Sequence, residues 1–237
     1  MSDQKTSSGA HIAVPAVTSS TNPLKISNQD FIDAIFNNPQ EGISALICAK
    51  PDNPEEGGWK PYPASDVSKC CLDSYNNFFN CSTFQVTEDG NFNAKKENFS
   101  ACHALVLDDV GAKIAADALD AFDFSWKLET SPGNSHYGLR FEKPVTDGKK
   151  VTSILDAFIE KGWCDPGASG PMSRWVRLPV GINGKPKYLN DGVPFRCQLK
   201  EWNPEKCYSP DQMIEVFGLV LKKESSKRTS EESRFRP

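Results

Sequence analysis

The chain has 237 residues, of which 38% are apolar and 10% aromatic, and its formal net charge is −4. This length and apolar content are enough for one substantial packed domain. No apolar run approaches the roughly 20 residues that a membrane-spanning helix needs, and the N-terminus lacks the basic and apolar regions of a secretory signal. We therefore expect a cytoplasmic protein with no membrane partner.

The eight cysteines contain no CxxC pair, and the three histidines do not flank cysteines at the spacing of a zinc finger. Reduced thiols are the interpretation that this pattern favours in a cytoplasmic protein. A zinc site that gathers Cys70, Cys71, Cys81 and the Cys102–His103 pair in three dimensions remains the alternative.

Charge is distributed unevenly along the chain. Residues 1–139 carry nine basic and eighteen acidic side chains, whereas residues 140–200 carry eleven basic and six acidic ones. A basic region favours nucleic-acid binding, but a solvated charged face explains the same asymmetry, so it supports that function only modestly.

The N-terminal half of the chain predicts one disordered segment, two helices and three strands. Residues 1–24 are rich in Ser, Thr, Ala and Pro and show no periodicity, so we expect them to be disordered. A helix is expected after Ser27 or Asn28, either of which can cap it. The pattern further predicts strands at 43–50, 76–86 and 101–109 and a short helix that starts near Ser65 or Asp66.

The C-terminal half predicts a hairpin, two helices and two further strands. FSWKLET and SHYGLRF flank a Ser-Pro-Gly-Asn turn and predict an antiparallel hairpin. Asp147 can cap an amphipathic helix that ends at Gly162. Strands are expected in MSRWVRLPV and PFRCQLKEW, and Ser209 opens a capping box and a helix to about Val220.

These elements mix helices and strands without a regular βαβ alternation. Such a mixture predicts an α+β fold with an antiparallel or mixed sheet. We expect one main domain over residues 25–221 and a charged, flexible tail over residues 222–237.

Two adjacent carboxylates, Asp108 and Asp109, end the strand predicted at 101–109. Neighbouring side chains of a strand point to opposite faces, so only a turn or bulge at the Val110–Gly111 step would bring both to one metal ion. Carboxylate oxygens favour Mg²⁺ or Mn²⁺. Asp165 is the candidate for a third metal ligand or a base. Alternatively, one of the paired carboxylates faces a cleft and the other caps a turn.

His136 follows the Ser-Pro-Gly-Asn turn, where small residues permit close approach of a ligand. Its imidazole could hydrogen-bond a phosphate oxygen, with Ser135 beside it. A lone histidine in a strand is more often a structural residue. His136 is therefore a candidate for ligand binding only in combination with the carboxylates.

Four polar residues near the end of the basic region are candidates for binding a triphosphate. Arg174 and Arg177 lie three apart in a predicted strand and should project from opposite faces, so only one is expected to enter a cleft. Arg177 is the better candidate, because it ends the strand and its planar guanidinium fits phosphate oxygens. Asn183 and Lys185 lie in the GINGK turn, which is explained equally well as a Gly-rich turn with a solvated lysine.

The segments DDVGAK, ETSPGNSHYG and SRWVRLPVGINGK resemble, in this order, the motifs of RepB-like primases and primase-polymerases of phage and plasmid replication, within the archaeo-eukaryotic primase superfamily. The resemblance covers roughly residues 40–200 and implies a two-part α+β module with an RRM-like sheet flanked by helices. It implies catalytic, metal-binding roles for Asp108, Asp109 and Asp165 and nucleotide-binding roles for His136, Arg177, Asn183 and Lys185. Ser135 and Arg174 are further candidates for nucleotide binding. Asp147 and Asp156 remain alternatives for the third acid.

The resemblance implies a DNA replication enzyme that joins nucleoside triphosphates on a single-stranded DNA template with two divalent ions, Mg²⁺ or Mn²⁺, and works with a replicative helicase. A metal-dependent nuclease that uses the same carboxylates is one alternative. A noncatalytic module that binds single strands or origins is another, and in it Trp126, Tyr137 and Trp175 would stack on bases.

Overall fold

The computed structural model describes residues 25–37 and 40–222, so the segment 1–24 and the tail beyond residue 222, both expected to be disordered, lie outside the described residues. The helices are α1 (Asn28–Phe36), α2 (Val67–Cys70), α3 (Gly148–Glu160) and α4 (Pro210–Val216). The strands are β1 (Ile43–Lys50), β2 (Tyr62–Pro63), β3 (Asn76–Gln85), β4 (Phe99–Val110), β5 (Trp126–Ser131), β6 (Asn134–Val145), β7 (Trp175–Arg177), β8 (Ile182–Asn183), β9 (Phe195–Arg196), β10 (Gln198–Trp202) and β11 (Cys207–Tyr208). None of the helices in these ranges has the length and apolar character needed to cross a bilayer.

One large sheet organises the described part of the chain. Its nine strands run in the order β10-β5-β6-β4-β3-β1-β2, with β11 also beside β6 and β7 also beside β3. The neighbouring strands are antiparallel, apart from the parallel pair of β11 and β6. β8 and β9 form a separate antiparallel pair. The predicted α+β fold with a mostly antiparallel sheet is confirmed.

The central strand β4 contains a short apolar run, residues 104–107, and is buried on both faces. Leu105 and Leu107 belong to a hydrophobic cluster that includes α3 and α4, whereas Ala104 and Val106 belong to a second cluster that includes α1. Side chains that alternate along a strand supply both clusters. Helices therefore cover both faces of the sheet and hold β4 rigidly, and its C-terminal end carries the paired carboxylates.

Three helix starts agree with the predicted caps. The Ser27 hydroxyl accepts a hydrogen bond from the Asp30 N–H at 3.1 Å, and the Asp30 carboxylate accepts one from the Ser27 N–H at 3.2 Å. The Asp147 carboxylate accepts from two backbone N–H groups at the start of α3, and Ser209 forms the predicted capping box at the start of α4. Each cap satisfies N–H groups that a helix start leaves without partners.

The last helix is shorter than the sequence pattern indicates. α4 ends at Val216 rather than near Val220, because Gly218 adopts a φ of +56° and turns the chain. The Lys161 ammonium donates to the carbonyl oxygens of Phe217 and Gly218 at 2.6 and 3.2 Å, which satisfies acceptors at the helix end. A glycine at this position is a regular helix stop.

Two predicted strands are also shorter or divided. MSRWVRLPV contributes only the three residues of β7, and Arg174 precedes this strand instead of lying within it. PFRCQLKEW is divided between β9 and β10, which belong to different sheets. Both departures follow from long-range pairing, since β7 is added to β3 and β10 to β5.

His103 makes folding stability depend on pH. Its ring centre lies 4.9 Å from that of Phe36, with the two planes tilted by 57°, and its Nε2 lies 3.2 Å from the Thr83 hydroxyl. Burial lowers the pKa of His103 to about 4, below the ordinary value of 6.5. Between these values the unfolded chain takes up a proton that the folded chain does not, so stability falls as pH drops from 6.5 towards 4.

We predict that this single group costs about 2 kcal/mol of unfolding free energy at pH 5 relative to pH 7. Urea unfolding of the wild type and of His103→Gln at both pH values measures it. The wild type should lose about 2 kcal/mol more than the variant. Equal losses in the two proteins would show that His103 is not the responsible group.

Candidate active site

A cleft of about 480 Å³ lies at the C-terminal end of β4. The rest of its lining comes from the turn after β4, the end of β5 and the start of β6, the strands β3, β7 and β8, the turn after β8 and the loop after β1. This volume is within the range of sites that bind small molecules. The cleft collects residues from distant parts of the chain at one end of the sheet.

A bulge brings the two adjacent carboxylates to the same cleft. The register between β4 and β6 shifts between Leu107 and Val110, and Asp109 adopts a φ of +60°. The carbonyl oxygen of Asp109 then accepts N–H groups of the turn that follows, including that of Lys113 at 2.9 Å. Asp108 and Asp109 both line the cleft as a result, which is the local turn or bulge that the sequence requires.

Gly111 makes this bulge possible. Its φ is +92°, and a Cβ atom at this position would lie 2.4 Å from the carbonyl oxygen of Gly133. Gly133 belongs to the turn between β5 and β6, so the turn after β4 packs directly against the turn before His136. Only glycine permits both the conformation and the close approach.

Three cationic or polar groups contact the Asp108 carboxylate. Its Oδ1 lies 3.1 Å from His136 Nε2 and accepts the Asp109 N–H at 2.7 Å, and its Oδ2 accepts from Arg174 Nη2. Burial alone would raise the pKa of Asp108, but the His136 imidazole, Arg174 and the Asp109 N–H outweigh burial and hold that pKa well below its usual range. The carboxylate is therefore ionised at neutral pH.

His136 lies near the start of β6 and faces the cleft, where it contacts Asp108. The predicted hairpin fixes its position, because β5 pairs Leu128 with His136. Ser135, the neighbouring residue on β6, is not among the residues that line the cleft. The structure thus brings His136 to the carboxylates and leaves Ser135 outside.

Asp109 has a different set of partners. Its Oδ1 accepts from the Asn134 side-chain amide at 2.7 Å, and its Oδ2 lies 2.6 Å from Lys113 Nζ. The same ammonium lies 3.0 Å from Asp165 Oδ1. Both hydrogen bonds raise the pKa of Lys113. One cationic nitrogen therefore joins two of the carboxylates that the sequence singles out.

Asp165 caps the short 3₁₀ turn Pro166–Ala168. Its Oδ2 accepts the Gly167 N–H at 3.0 Å, and its own N–H donates to the carbonyl oxygen of Asp108 at 3.3 Å. Asp165 lies next to the acidic pair but does not itself line the cleft. Asp147 and Asp156, the alternative third acids, lie at the start of α3 and within it and do not line the cleft either.

Arg174 and Arg177 both line the cleft, so the expectation that only one would enter it is wrong. The two residues do not share a strand, because β7 begins at Trp175 and Arg174 lies in the preceding turn. Arg174 contacts Asp108 through Nη2, whereas its Nη1 is buried and has no hydrogen-bond partner. That free donor is unusual for a buried guanidinium.

Arg177 is almost fully buried and already donates to protein oxygens. Its Nη1 donates to the Ile182 carbonyl oxygen at 2.6 Å, and its Nη2 donates to Asn183 Oδ1 at 2.7 Å. The Asn183 amide donates in turn to the Thr130 carbonyl oxygen at 2.7 Å. Arg177 and Asn183 therefore hold the GINGK turn against β5, and bidentate contact of Arg177 with a phosphate stays a prediction.

Lys185 provides a more accessible positive charge at the mouth of the cleft. Its Nζ lies 3.4 Å from Glu55 Oε1, on the loop that follows β1, and its side chain is partly exposed. Lys187, two residues further on, also lines the cleft. A surface ion pair such as that with Glu55 contributes little free energy, so an anion can replace Glu55 as the partner of Lys185.

Several cleft residues are not among the site residues that the sequence predicts. Lys113 and Asn134 contact Asp109, and Trp59 comes from a turn-rich loop with no motif. Trp126 and Tyr137, considered as base-stacking residues, are buried in the two hydrophobic clusters, with exposed fractions of 1% and 8%. They are therefore unsuited to stacking on a base, unlike Trp175, which lines the cleft.

The cysteines are free thiols in the structure. Within residues 25–37 and 40–222, no three His, Cys, Asp or Glu side chains are arranged as a metal-binding group. Asp109 and Asp165 nevertheless converge on one cation, since the Lys113 ammonium contacts an oxygen of each. Their oxygens are of the kind that Mg²⁺ and Mn²⁺ prefer, so the donor set fits a divalent ion once Lys113 moves.

No family model matches the sequence, and no curated protein matches it. Solved structures do match the fold. The AEP domain of the primase-polymerase of cyanophage S-2L gives a TM-score of 0.55 at 15% sequence identity, over 79% of this chain and 95% of the other. The fold of the described residues can therefore be compared directly with that of a primase-polymerase.

Two structures of the primase RepB′ are also similar. The primase RepB′ itself gives a TM-score of 0.54 at 13% identity, over 81% of this chain and 62% of the other. The catalytic domain of RepB′ in complex with initiator DNA gives a TM-score of 0.51 at 13% identity, over 81% and 93% of the two chains. The described part of this chain therefore has the fold of these primase-polymerase and primase domains.

Proposed function

We propose that this protein is a DNA primase-polymerase, which transfers nucleotides from nucleoside triphosphates to a growing strand on a single-stranded DNA template. One observation carries the proposal. Asp108, His136 and Arg174, which come from three separate segments, are in contact within one cleft, and Asp109 lies beside them. Partly buried carboxylates next to a set of cations are suited to phosphoryl transfer.

Asp108, Asp109 and Asp165 are the proposed metal ligands. Asp108 is ionised at neutral pH, and Asp109 and Asp165 are oriented towards a common cation. Bound Mg²⁺ or Mn²⁺ would lower the pKa of the attacking 3′-hydroxyl and neutralise charge on the leaving pyrophosphate. The three carboxylates bind and position the metal ions. Before a metal ion binds, the Lys113 ammonium neutralises the charge of Asp109 and Asp165.

The cationic side of the cleft is the proposed triphosphate site. Arg174 has a free buried Nη1, and Lys185 and Lys187 line the mouth. His136 is held by Asp108 through Nε2, so its ring keeps a fixed orientation towards the phosphates. Arg177 and Asn183 hold the turn that carries Lys185. These charges would neutralise a triphosphate and keep its reacting phosphorus near the carboxylates.

Lys113 supplies a direct test of the cation position. In Lys113→Met the ammonium between Asp109 and Asp165 is removed, so a divalent ion no longer has to displace it. We predict that Mn²⁺ binds about threefold more tightly, as expected for removal of one competing surface ion pair. Titration calorimetry with Mn²⁺ measures the change without requiring activity.

Lys206→Met is the matched control, because Lys206 forms a comparable exposed pair with Asp123 at 2.7 Å outside the cleft. Its Mn²⁺ affinity should equal that of the wild type. Weaker Mn²⁺ binding in Lys113→Met than in the control would mean that Lys113 supports the metal position instead of occupying it.

Nucleotide incorporation tests the function itself. Wild-type protein is incubated with a single-stranded DNA template, labelled ribo- or deoxyribonucleoside triphosphates and Mg²⁺ or Mn²⁺. We expect template-dependent products whose formation requires both the triphosphates and the metal ion. Shortening of the DNA without nucleotide incorporation would instead identify a metal-dependent nuclease, and DNA binding without either reaction would identify a noncatalytic binding module.

Within this proposal residues 25–221 form the catalytic domain, and the protein acts in DNA replication in the cytoplasm of a cell that hosts a phage or plasmid. A replicative helicase is the proposed partner, because a single-stranded template has to be supplied by unwinding. Copurification of a helicase with the tagged protein from such cells would support the partnership.

A further inference from the structure

One wall of the cleft is aromatic. Trp59 and Trp175 are parallel, with ring centroids 6.0 Å apart and planes 5° from parallel, and Phe78 meets Trp59 edge-on at 4.9 Å. All three line the cleft, and we call them the aromatic wall. Trp59 is 45% exposed. The rest of the cleft lining is rich in charged and polar side chains. The exposed part of an indole in such a cleft can accept a flat ring.

The position of Trp59 is fixed by a buried lysine. Lys50 ends β1, is 8% exposed, and donates through Nζ to the carbonyl oxygens of Pro54 and Gly57 at 2.7 and 3.3 Å. The same ammonium lies 4.7 Å from the centre of the Trp59 ring. A buried lysine that satisfies loop carbonyls holds that loop in one conformation. The indole is therefore presented to the cleft on an ordered loop.

The other two residues of the aromatic wall, Phe78 and Trp175, are held in place by the sheet. β7 pairs with β3 so that Arg177 lies opposite Phe78, and the guanidinium carbon lies 4.8 Å from the centre of the Phe78 ring. Trp175 lies opposite Asn80 in the same strand pair. The wall rests on the sheet itself, so a ring that binds Trp59 meets a rigid surface.

We infer that the aromatic wall is the binding site for the base of the incoming nucleotide, with Trp59 as the stacking residue. The inference rests on the proposed function and adds the base-binding side chain to it. Arg174, Lys185 and Lys187 line the same cleft and suit the triphosphate of that molecule. A nucleotide has both a flat ring and a chain of anions, which matches an aromatic wall and a cationic mouth in one cavity. Stacking of this kind tolerates all four bases, because each has a π face.

Binding of two probes separates the base from the phosphates. The dissociation constants of dATP and of inorganic tripolyphosphate, each with Mg²⁺, are measured by calorimetry for wild type, Trp59→Ala and Trp59→Phe. We expect Trp59→Ala to weaken dATP binding about tenfold, the effect typical of one base-stacking aromatic, and to leave tripolyphosphate binding unchanged. Trp59→Phe keeps a ring and should restore most of the dATP affinity.

Tryptophan fluorescence provides an independent readout and a matched control. dATP should quench the emission of the wild type and of Trp163→Phe, because Trp163 packs on Phe122 outside the cleft. The same quenching should be largely lost in Trp59→Phe, although that variant still binds dATP. Thermal melting of each variant verifies that it is folded.

The outcomes distinguish this inference from the proposed function. Wild type that binds neither dATP nor tripolyphosphate would contradict both. Equal dATP affinities in wild type and Trp59→Ala, with tripolyphosphate bound by both, would contradict the inference alone. Loss of single-stranded DNA binding in Trp59→Ala with unchanged dATP affinity would also overturn it, because the wall would then contact the template.

Discussion

Asp108→Asn is expected to reduce nucleotide incorporation by about a thousandfold, the upper range for removal of one preorganised electrostatic group from an active site. The substitution preserves the shape of the side chain and removes its charge. His136 and Arg174 would then face a neutral amide, and a divalent ion would lose a ligand. Primer extension with labelled nucleotides, at equal concentrations of folded protein, measures the loss.

Asp211→Asn is the matched control for this substitution. Asp211 is 90% exposed at its side chain and pairs with Lys150 at 3.2 Å, outside the cleft. It should retain wild-type activity, and Asp109→Asn should lose activity together with Asp108→Asn. Activity within a few-fold of wild type in folded Asp108→Asn would exclude a catalytic role for this carboxylate.

Arg177→Met is expected to lower the free energy of unfolding by about 3 kcal/mol, because one partner of a buried charged network is removed. The carbonyl oxygen of Ile182 and Oδ1 of Asn183 would lose charged donors. Methionine retains the apolar stem, so the loss reports mainly on these hydrogen bonds. Urea unfolding monitored by circular dichroism provides the measurement.

The exposed Arg196 on β9 supplies the comparison, since Arg196→Met changes the same residue type without a buried network. That variant should unfold within about 0.5 kcal/mol of the wild type. If Arg177→Met were equally stable, the guanidinium would not be holding the GINGK turn, and a direct role in phosphate binding would become the better explanation for its position.

Local signals were enough to predict most elements of the fold. The apolar stripe of α1, the cap at Asp147, the hairpin before His136 and the short apolar run of β4 depend on residues that are close in sequence. Such signals report periodicity and turn chemistry, which the neighbouring residues determine. The sheet order, in contrast, depends on pairings between distant strands.

The candidate active site depends more strongly than the helices and strands do on contacts between distant segments of the chain. Asp108 and Asp109 share a cleft because Gly111 packs against Gly133, which no local pattern specifies. Arg174 reaches Asp108 only because β7 is added to β3. Trp59 lies in no motif. Lys113 is the last residue of DDVGAK, but its role becomes visible only when Asp165 is placed beside it.

A crystal structure with Mn²⁺ and a nonhydrolysable deoxynucleoside triphosphate would show whether metal and nucleotide bind in this cleft. We predict an anomalous Mn²⁺ signal at the carboxylates of Asp108 and Asp109, the triphosphate on the side of Arg174 and Lys185, and Lys113 displaced from Asp109. A metal bound elsewhere, with the nucleotide outside this cleft and Asp108 still paired only with His136 and Arg174, would contradict it.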